Sequence, residues 1–336
     1  MLQKLGDISG AVASFRRAVD LRPKSPNAYR NLLSALLFDP ASTPDAIFAE
    51  HRRFGSTFAR PASTAARTAS WDPERRLRIG FVSSDFHDHP VARNLMPVLA
   101  ELDRSKFEIF LYAAASPSDG MTTQLRGMAV SWRSIAGDSD AAAADRIRAD
   151  GIDILVLLAG RFDRNRPLIA TYRPAPVQVS LHDPASSGLE AIDYLISDRY
   201  MTPRRSPEQF VERVLCLPHF YVHPPLAAAP PVAPAPCRRN GYVTFGSCNK
   251  PSKLNDAVLR TWAELLRHVP GSHLLLKYRN QFMSPAVRRR VASVFGAAGV
   301  DMDRVHMFGE TESFASHLRT YDAIDIALDP FPFTGS

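Results

Sequence analysis

Cysteine is scarce in this chain of 336 residues: Cys216, Cys237 and Cys248 are the only three. Their odd number, wide spacing and lack of any Cys-x-x-Cys pair exclude a disulfide framework and a thiolate zinc site, and point to a reducing compartment. Long apolar runs are missing as well. No stretch of about 18 apolar residues occurs, and the N-terminus has no secretory-signal pattern, so the reading is a cytoplasmic protein without a membrane partner. Charge of one sign is not strongly in excess, with 41 Lys and Arg against 34 Asp and Glu, a net +7. The positive residues are mostly Arg and are interleaved with acids. The densest run, Arg288-Arg289-Arg290, falls in an expected amphipathic helix and reads as a solvated face. No basic patch interleaved with aromatics is present, so a nucleic-acid partner is set aside.

What the chain does have is apolar material for more than one core, 45% of its residues, and 27 prolines gathered mainly into breaks. Residues 1–38 read as two helices, the second from about Pro26 to Phe38 with Tyr29, Leu32, Leu33 and Leu36 at helical spacing. Ala11, Phe15, Ala18 and Pro23 have the register of the second helix of a tetratricopeptide repeat, which this segment resembles. One and a half repeats bury little on their own, so an array reaching upstream is expected, or docking on the next domain. A further helix is expected from Asp45 to Phe58, closing a helical segment at 1–60. A linker rich in Ala, Ser, Thr and Pro follows at 61–76.

From Leu77 the pattern alternates strands and helices. Arg78–Ser83, Phe107–Ala113, Ile152–Leu158, Val177–Leu181 and Tyr194–Ser197 read as strands, with helices at Val91–Leu102 and Asp138–Asp150. Ile152–Leu158 is the continuous apolar run of a central parallel strand. A Pro- and Ala-rich break at 223–240 separates this lobe (77–222) from a second (241–336), in which the alternation restarts. There Tyr242–Ser247, Leu274–Lys277, Val305–Phe308 and Ile324–Leu328 are expected strands. Asn255–His268, a helix capped at Ser284-Pro285, and Glu312–Tyr321 are expected helices. The fold class is α/β: two Rossmann-type lobes behind a short helical segment, the second lobe shorter than the roughly 150–200 residues of a full one, so its remainder is expected past Ser336.

In such folds ligands bind outside the carboxyl ends of the strands, so the loops after strands are the candidate sites. Ser83-Ser84-Asp85-Phe86-His87-Asp88-His89-Pro90 follows the first strand and opens a helix. His89 suits a general base or a group orienting a hydroxyl; capping of the helix is its structural alternative. Gly246-Ser247-Cys248-Asn249-Lys250-Pro251-Ser252-Lys253 places two lysines in a polar loop at a strand end, which suits a diphosphate, although it lacks the order of a P-loop. His317 lies on a later helix. Thr334 and Gly335 offer a hydroxyl and backbone N–H groups to a phosphate. Asp325 and Asp329 flank one strand about 13 Å apart, too far for one ion, so no metal is expected.

Together with Ala144-Asp145-Arg146-Ile147, Asp150–Val156, Arg173-Pro174-Ala175-Pro176-Val177-Gln178, Asp193-Tyr194, Phe245–Asn249 and Asp329-Pro330, these loops resemble the O-linked N-acetylglucosamine transferase/SPINDLY family, glycosyltransferase family 41, from about Leu77 to Ser336. The resemblance implies a GT-B fold and inversion at the anomeric carbon. It implies a UDP-sugar as co-substrate without cofactor or metal, and protein acceptors recognised through the tetratricopeptide-like segment. It makes His89 the active-site histidine near the acceptor and Lys253 the lysine that neutralises the leaving diphosphate. Asn249, Lys250, His317, Thr334 and Gly335 fall on the nucleotide-sugar side, and Ser84, Asp85, Pro184 and Ser186 on the acceptor and sugar side. Two segments depart from the family pattern. Ala159-Gly160-Arg161 stands where a Ser-Gly-His-like turn is usual, and Leu181–Gly188 replaces a Trp-Leu-Gly-Tyr-Pro-Gly-like loop. They leave the sugar open, fucose included, and leave as the alternative a non-catalytic tetratricopeptide-type interaction protein with a degenerate transferase domain.

Overall fold

The computed structural model describes residues 2–61, 72, 74–116, 118–160, 162, 164–220 and 229–335. Most of the 61–76 segment and the first part of the 223–240 segment lie outside these residues. Among them no helix is long and apolar enough to cross a membrane.

Four helices come first: α1 (Leu2–Leu5), α2 (Ile8–Leu21), α3 (Pro26–Leu36) and α4 (Pro44–Phe58). Asp7 caps α2 by accepting the Gly10 N–H at 2.9 Å. The deepest stripe of α2 is Ile8, Ala11, Val12 and Val19, whereas Phe15 and Ala18 are only half-buried. The chain divides into two compact units: Met1–Arg22, Asn27–Thr43 and Leu226–Ser336 form one, Pro23–Pro26 and Pro44–Pro225 the other. Helices α1–α3 thus belong with the C-terminal sheet and α4 with the larger one.

The larger unit is a seven-stranded, wholly parallel sheet: β1 (Leu77–Ser83), β2 (Phe107–Ala113), β3 (Ser131–Ser134), β4 (Ile154–Leu158), β5 (Val177–Leu181), β6 (Tyr194–Asp198) and β7 (Arg213–Leu217). Helices α5 (Pro90–Glu101), α6 (Gly120–Met128) and α7 (Asp140–Ala149) connect the first strands. The order is β3-β2-β1-β4-β5-β6-β7, so it reverses between β1 and β4. Phe81, Leu95, Leu99, Ile109, Leu111, Leu125 and Val156 make up the buried cluster between strands and helices. Gly80 lets β1 lie close to its surroundings: a Cβ there would sit 3.0 Å from the Tyr112 ring and 3.1 Å from Ile152. Asp153 fastens the start of β1, taking both Arg75 guanidinium nitrogens at 2.7 and 2.8 Å and the Arg78 N–H at 2.9 Å.

The second unit adds α8 (Cys237–Asn240) and a four-stranded parallel sheet of β8 (Thr244–Ser247), β9 (His273–Lys277), β10 (Val305–Phe308) and β11 (Ile326–Ala327) in the order β10-β9-β8-β11. The reversal here falls between β8 and β11. Helix α9 (Asp256–His268) is capped by Asn255, whose Oδ1 accepts the Val258 N–H at 3.0 Å. Helices α10 (Pro285–Ala297) and α11 (Phe314–Leu318) follow. Trp262, Leu266, Leu274, Phe282, Val291 and Phe295 fill the core, and Leu5 packs on its edge.

Several expectations need correction. Helix α6, β3 and β7 do not stand out in the alternation: β3 is a short edge strand of mixed polarity (Ser-Trp-Arg-Ser), and β7 (Arg-Val-Leu-Cys-Leu) is the mostly exposed strand at the other edge. The helix expected at Glu312–Tyr321 shrinks to α11, and a 3₁₀ turn from Arg319 to Ala323 takes its second half. Ser284 precedes α10 but its side chain makes no capping bond. Arg290 is not a solvated face residue. Its guanidinium donates to the Leu254 carbonyl at 2.8 Å and to Asp256 at 2.5 Å, and Arg288 donates to the Phe282 carbonyl at 3.0 Å.

Leu111 is fully buried in β2, beside β1. Leu111→Ala is expected to cost about 2–5 kcal/mol, read as an earlier urea transition of this unit; a change under 1 kcal/mol would contradict this packing.

Candidate functional site

In a parallel sheet with right-handed connections, strands on either side of an order reversal send their loops to opposite faces and open a crevice at their carboxyl ends. Each unit has one such place, and the sequence-predicted residues divide between them.

In the larger unit the loops after β1 and β4 lie there. Ser84 and Asp85 are buried, and their polar atoms bond within the loop. Ser84 Oγ donates to Asp85 at 2.7 Å, and Asn165 Nδ2 donates to the other Asp85 oxygen at 2.8 Å. Asn165 Oδ1 in turn accepts the Ser84 N–H at 2.7 Å and Ser83 Oγ at 3.2 Å. One amide therefore holds the loop, and Ser84 and Asp85 serve as its frame. Asp119 extends the frame, accepting the Asp88 and Thr122 N–H groups at 2.7 and 2.8 Å; these bonds hold its carboxyl below the usual carboxylate range.

His89 is the N-cap of α5 and is half-buried, with Pro90 at the first helical position. Its Nδ1 accepts the Val91 N–H at 3.3 Å. A neutral imidazole accepting through Nδ1 carries its proton on Nε2, so this ring is a donor there. The structural alternative, capping of α5, is what this geometry shows.

The 181–188 loop turns through His182 (φ 59°) and Gly188 (φ 75°). Glu212, itself buried, anchors it: Ser186 Oγ donates to one carboxylate oxygen at 2.8 Å, and the Ser187 N–H and hydroxyl donate to the other. Ser186 is thus at the base of the loop, while Pro184 is half-exposed further along it. In the other departing segment, Ala159 and Gly160 both have positive φ, and a Cβ on Gly160 would collide with the Asp183 carboxylate. Arg161 lies outside the described residues.

In the smaller unit the loops after β8 and β11 converge. Lys253 Nζ donates to the Thr334 carbonyl at 2.6 Å and lies 5.0 Å from the Phe333 ring centroid. Asn249 Nδ2 reaches Asp329 at 3.1 Å, and Asp329 accepts the Gly335 N–H at 2.7 Å. Asn255 Nδ2 holds the Phe331 carbonyl at 2.7 Å. Phe333 stacks on Phe38 at 4.6 Å, and Lys250 Nζ lies 5.1 Å over Phe38. Burial, with Lys250 adding repulsion and Asp329 opposing it, brings Lys253 down to about 8.

Beside them is a second lysine that the sequence reading missed. Lys277, at the end of β9, is 4% exposed, and its neighbours are neutral: His317 Nδ1 at 2.9 Å and Thr311 Oγ1 at 3.3 Å. Burial and Lys277 lower the His317 imidazole, which accepts from that lysine. The phenol of the half-exposed Tyr321 faces Cys248 and is pushed up to about 12 by burial and by that thiol. Asp325 accepts the Cys237 and Thr244 N–H groups at 2.9 and 2.8 Å, which is structural work at the other end of the sheet.

The structure therefore brings Asn249, Lys250, Lys253, His317, Thr334 and Gly335 into one unit, and His89, Ser84, Asp85, Pro184 and Ser186 into the other. The residues missed were Asn165, Glu212, Thr311, Lys277 and Tyr321. Lys277 had a signal: a cation closing the apolar run His-Leu-Leu-Leu at a strand's carboxyl end. Asn165 and Glu212 sit in loops without periodicity and had none.

Residues 57–224 match the family model described as Glycosyl transferase family 41. Among curated proteins, the chain is 34% identical over 324 residues to the probable UDP-N-acetylglucosamine–peptide N-acetylglucosaminyltransferase SPINDLY of Solanum lycopersicum, covering 94% of this chain and 34% of that protein. The protein of the same name from Arabidopsis thaliana is also 34% identical, over 94% of this chain and 35% of its own length. Among solved structures, a mutant of the Thermobaculum terrenum O-GlcNAc transferase superposes with a TM-score of 0.92 at 32% identity, over 99% of this chain and 64% of that one. The chain spans about a third of the length of these curated relatives.

Burial raises the Cys248 thiol, whereas Cys216 is exposed on β7. Iodoacetamide labelling followed by mass spectrometry should modify Cys216 at least about tenfold faster than Cys248. Equal rates would mean that the Cys248–Tyr321 corner is open.

Proposed function

Because the chain belongs to glycosyl transferase family 41, we propose that it is the part of a protein glycosyltransferase that carries an inverting transfer of N-acetylglucosamine, or another sugar, from a UDP donor to Ser or Thr hydroxyls. The observation that carries this reading is Lys253: a half-buried ammonium on the Thr334 carbonyl and the Phe333 ring, at the strand-order reversal of the smaller sheet. Loss of a nucleoside diphosphate develops negative charge on the leaving oxygens. A cation already desolvated before the donor arrives stabilises that charge more strongly than one in water. Lys277 adds a second buried cation nearby, and His317 with its Phe314 and Tyr321 neighbours at 6.2 and 6.3 Å suits the planar base end. On the acceptor side, His89 with its proton on Nε2 would orient an oxygen by donation. The Pro184–Gly188 turn, held by Glu212, would shape the sugar pocket. Lysine charge does here what a metal does in other transferases, so the reaction as proposed needs no cofactor. Acceptor proteins would be recognised through the tetratricopeptide-like helices.

The test is calorimetric titration of UDP and UDP-N-acetylglucosamine into the protein and its Lys253→Ala variant. Micromolar binding weakened about 10–100-fold by the substitution is expected, the range of a lost charge-assisted hydrogen bond. Absence of binding, or binding indifferent to Lys253, would leave the non-catalytic interaction protein as the better reading.

Lys253 also sets a pH dependence. Its pKa is lowered to about 8, so the charged form that attracts a diphosphate predominates below pH 8 and is lost above it. UDP affinity is expected to fall by up to about tenfold from pH 7 to 9, and Lys253→Arg, which stays charged, should remove most of that fall. A profile flat to pH 9, or one unchanged by Lys253→Arg, would contradict the assignment.

A further inference from the structure

The larger unit contains a cavity of about 770 Å³ that none of the foregoing chemistry uses. Its wall includes residues 173–176, 188–191, Asp193 and Val211, together with the C-terminal part of α4 and the end of α7. The first of these segments immediately precedes β5, the next leads into β6 and Val211 leads into β7. In a wholly parallel sheet these are amino ends. The cavity is therefore at the opposite edge of the sheet from the His89 loop and from Pro184; of the 181–188 loop only its last residue, Gly188, reaches it.

Its charge is lopsided. Among the described residues four arginines line it, Arg52, Arg60, Arg148 and Arg173, against two carboxylates, Glu190 and Asp193. Asp193 is already matched by Arg173 at 2.9 Å. Among the described residues Arg148 pairs with the largely exposed Asp145, and it also donates to the Tyr172 carbonyl at 2.9 Å. Arg60 is held by a neutral group: it lies 3.8 Å over the Tyr172 ring and donates to the Tyr172 hydroxyl at 2.5 Å. Among the described residues Arg52 has no ion pair. A guanidinium presents a planar fork that fits phosphate oxygens two at a time, and stacking on an aromatic ring holds it extended for that purpose. Between the arginines the wall is apolar, with Pro174, Ala175, Leu189 and Val211. The volume is within the about 300–1,000 Å³ usual for small-molecule sites.

We propose that this cavity binds a small phosphorylated organic molecule, its phosphate held by Arg52, Arg60 and Arg148 and its body resting on the Pro174–Leu189 wall. The site would give the protein a second, non-donor ligand, bound at the other edge of the sheet from the acceptor-side loops.

The probe is glucose 1,6-bisphosphate, titrated calorimetrically into the whole chain at about 100 mM salt with saturating UDP present to occupy any donor site. The expected result is saturable binding at micromolar to low millimolar concentration. Arg52→Glu should weaken it at least about tenfold and Arg60→Ala several-fold. Arg53→Ala, the neighbouring arginine on α4 that does not line the cavity, should leave it within about twofold. Arg52→Gln, which removes charge with little change of size, is measured alongside, and far-UV circular dichroism checks each variant. No saturable binding, or an equal loss in Arg53→Ala, would overturn the proposal, the latter by reducing it to general attraction to a basic protein. Tighter binding of a phosphoserine peptide than of the sugar bisphosphate would overturn it too, since the occupant would then be a protein segment.

Discussion

The reversal of strand order is the constraint on which the functional reading depends. Each sheet is parallel, and in each the first strand of the unit has neighbours whose connections run to opposite faces. The carboxyl ends of β1 and β4, and of β8 and β11, are therefore the places where a parallel sheet leaves a crevice instead of a packed surface. Polar loops collect there because their backbone groups can be satisfied by short side chains and, when it comes, by a ligand. His89, Asn249 and Lys253 are in those loops for the same topological reason that Phe81, Leu111, Leu274 and Phe295 are in the cores.

Within the loops, a division of labour separates residues that hold from residues that act. Asn165 ties Ser83, Ser84 and Asp85 together, Glu212 ties Ser186 and Ser187, and Asp329 ties Asn249 to Gly335. Each is a polar side chain that satisfies two or more polar groups of its loop, which is how an irregular loop at a strand end is held in one conformation. Lys253 and Lys277 are of the other kind. Both are partly or wholly removed from water beside mostly neutral neighbours, an arrangement that costs stability and that a bound anion would offset.

The same division explains which family motifs mean what. The Arg173-Pro174-Ala175-Pro176-Val177-Gln178 and Asp193 motifs that carry much of the resemblance serve the amino edge of the larger sheet. Arg173 pairs with Asp193, Asp193 accepts the Gln178 N–H at 2.8 Å, and Gln178 Nε2 bonds the carbonyls of Ala170 and Ala191. These are fold-specifying contacts, and they border the arginine-lined cavity. A motif shared with a family of transferases is thus a sign of the family without being a sign of the reaction.

From the residues alone came the broad outline: parallel β/α alternation in two lobes, the helices starting near Pro26 and Asp45, the long apolar strands, and the two loops that carry His89 and Lys253. Those features are local, because hydrophobic period, caps and proline breaks are written in neighbouring residues. The short strands β3 and β7 and the 3₁₀ turn after α11 escaped that reading, since pairing with an existing sheet edge, and not their own pattern, makes them regular. The roles within the site escaped it too. That Ser84, Asp85 and Ser186 frame loops, and that Lys277 joins His317 from a strand 40 residues away, were decided by tertiary structure, because each depends on a partner distant in sequence and on the exclusion of water that only the assembled fold imposes.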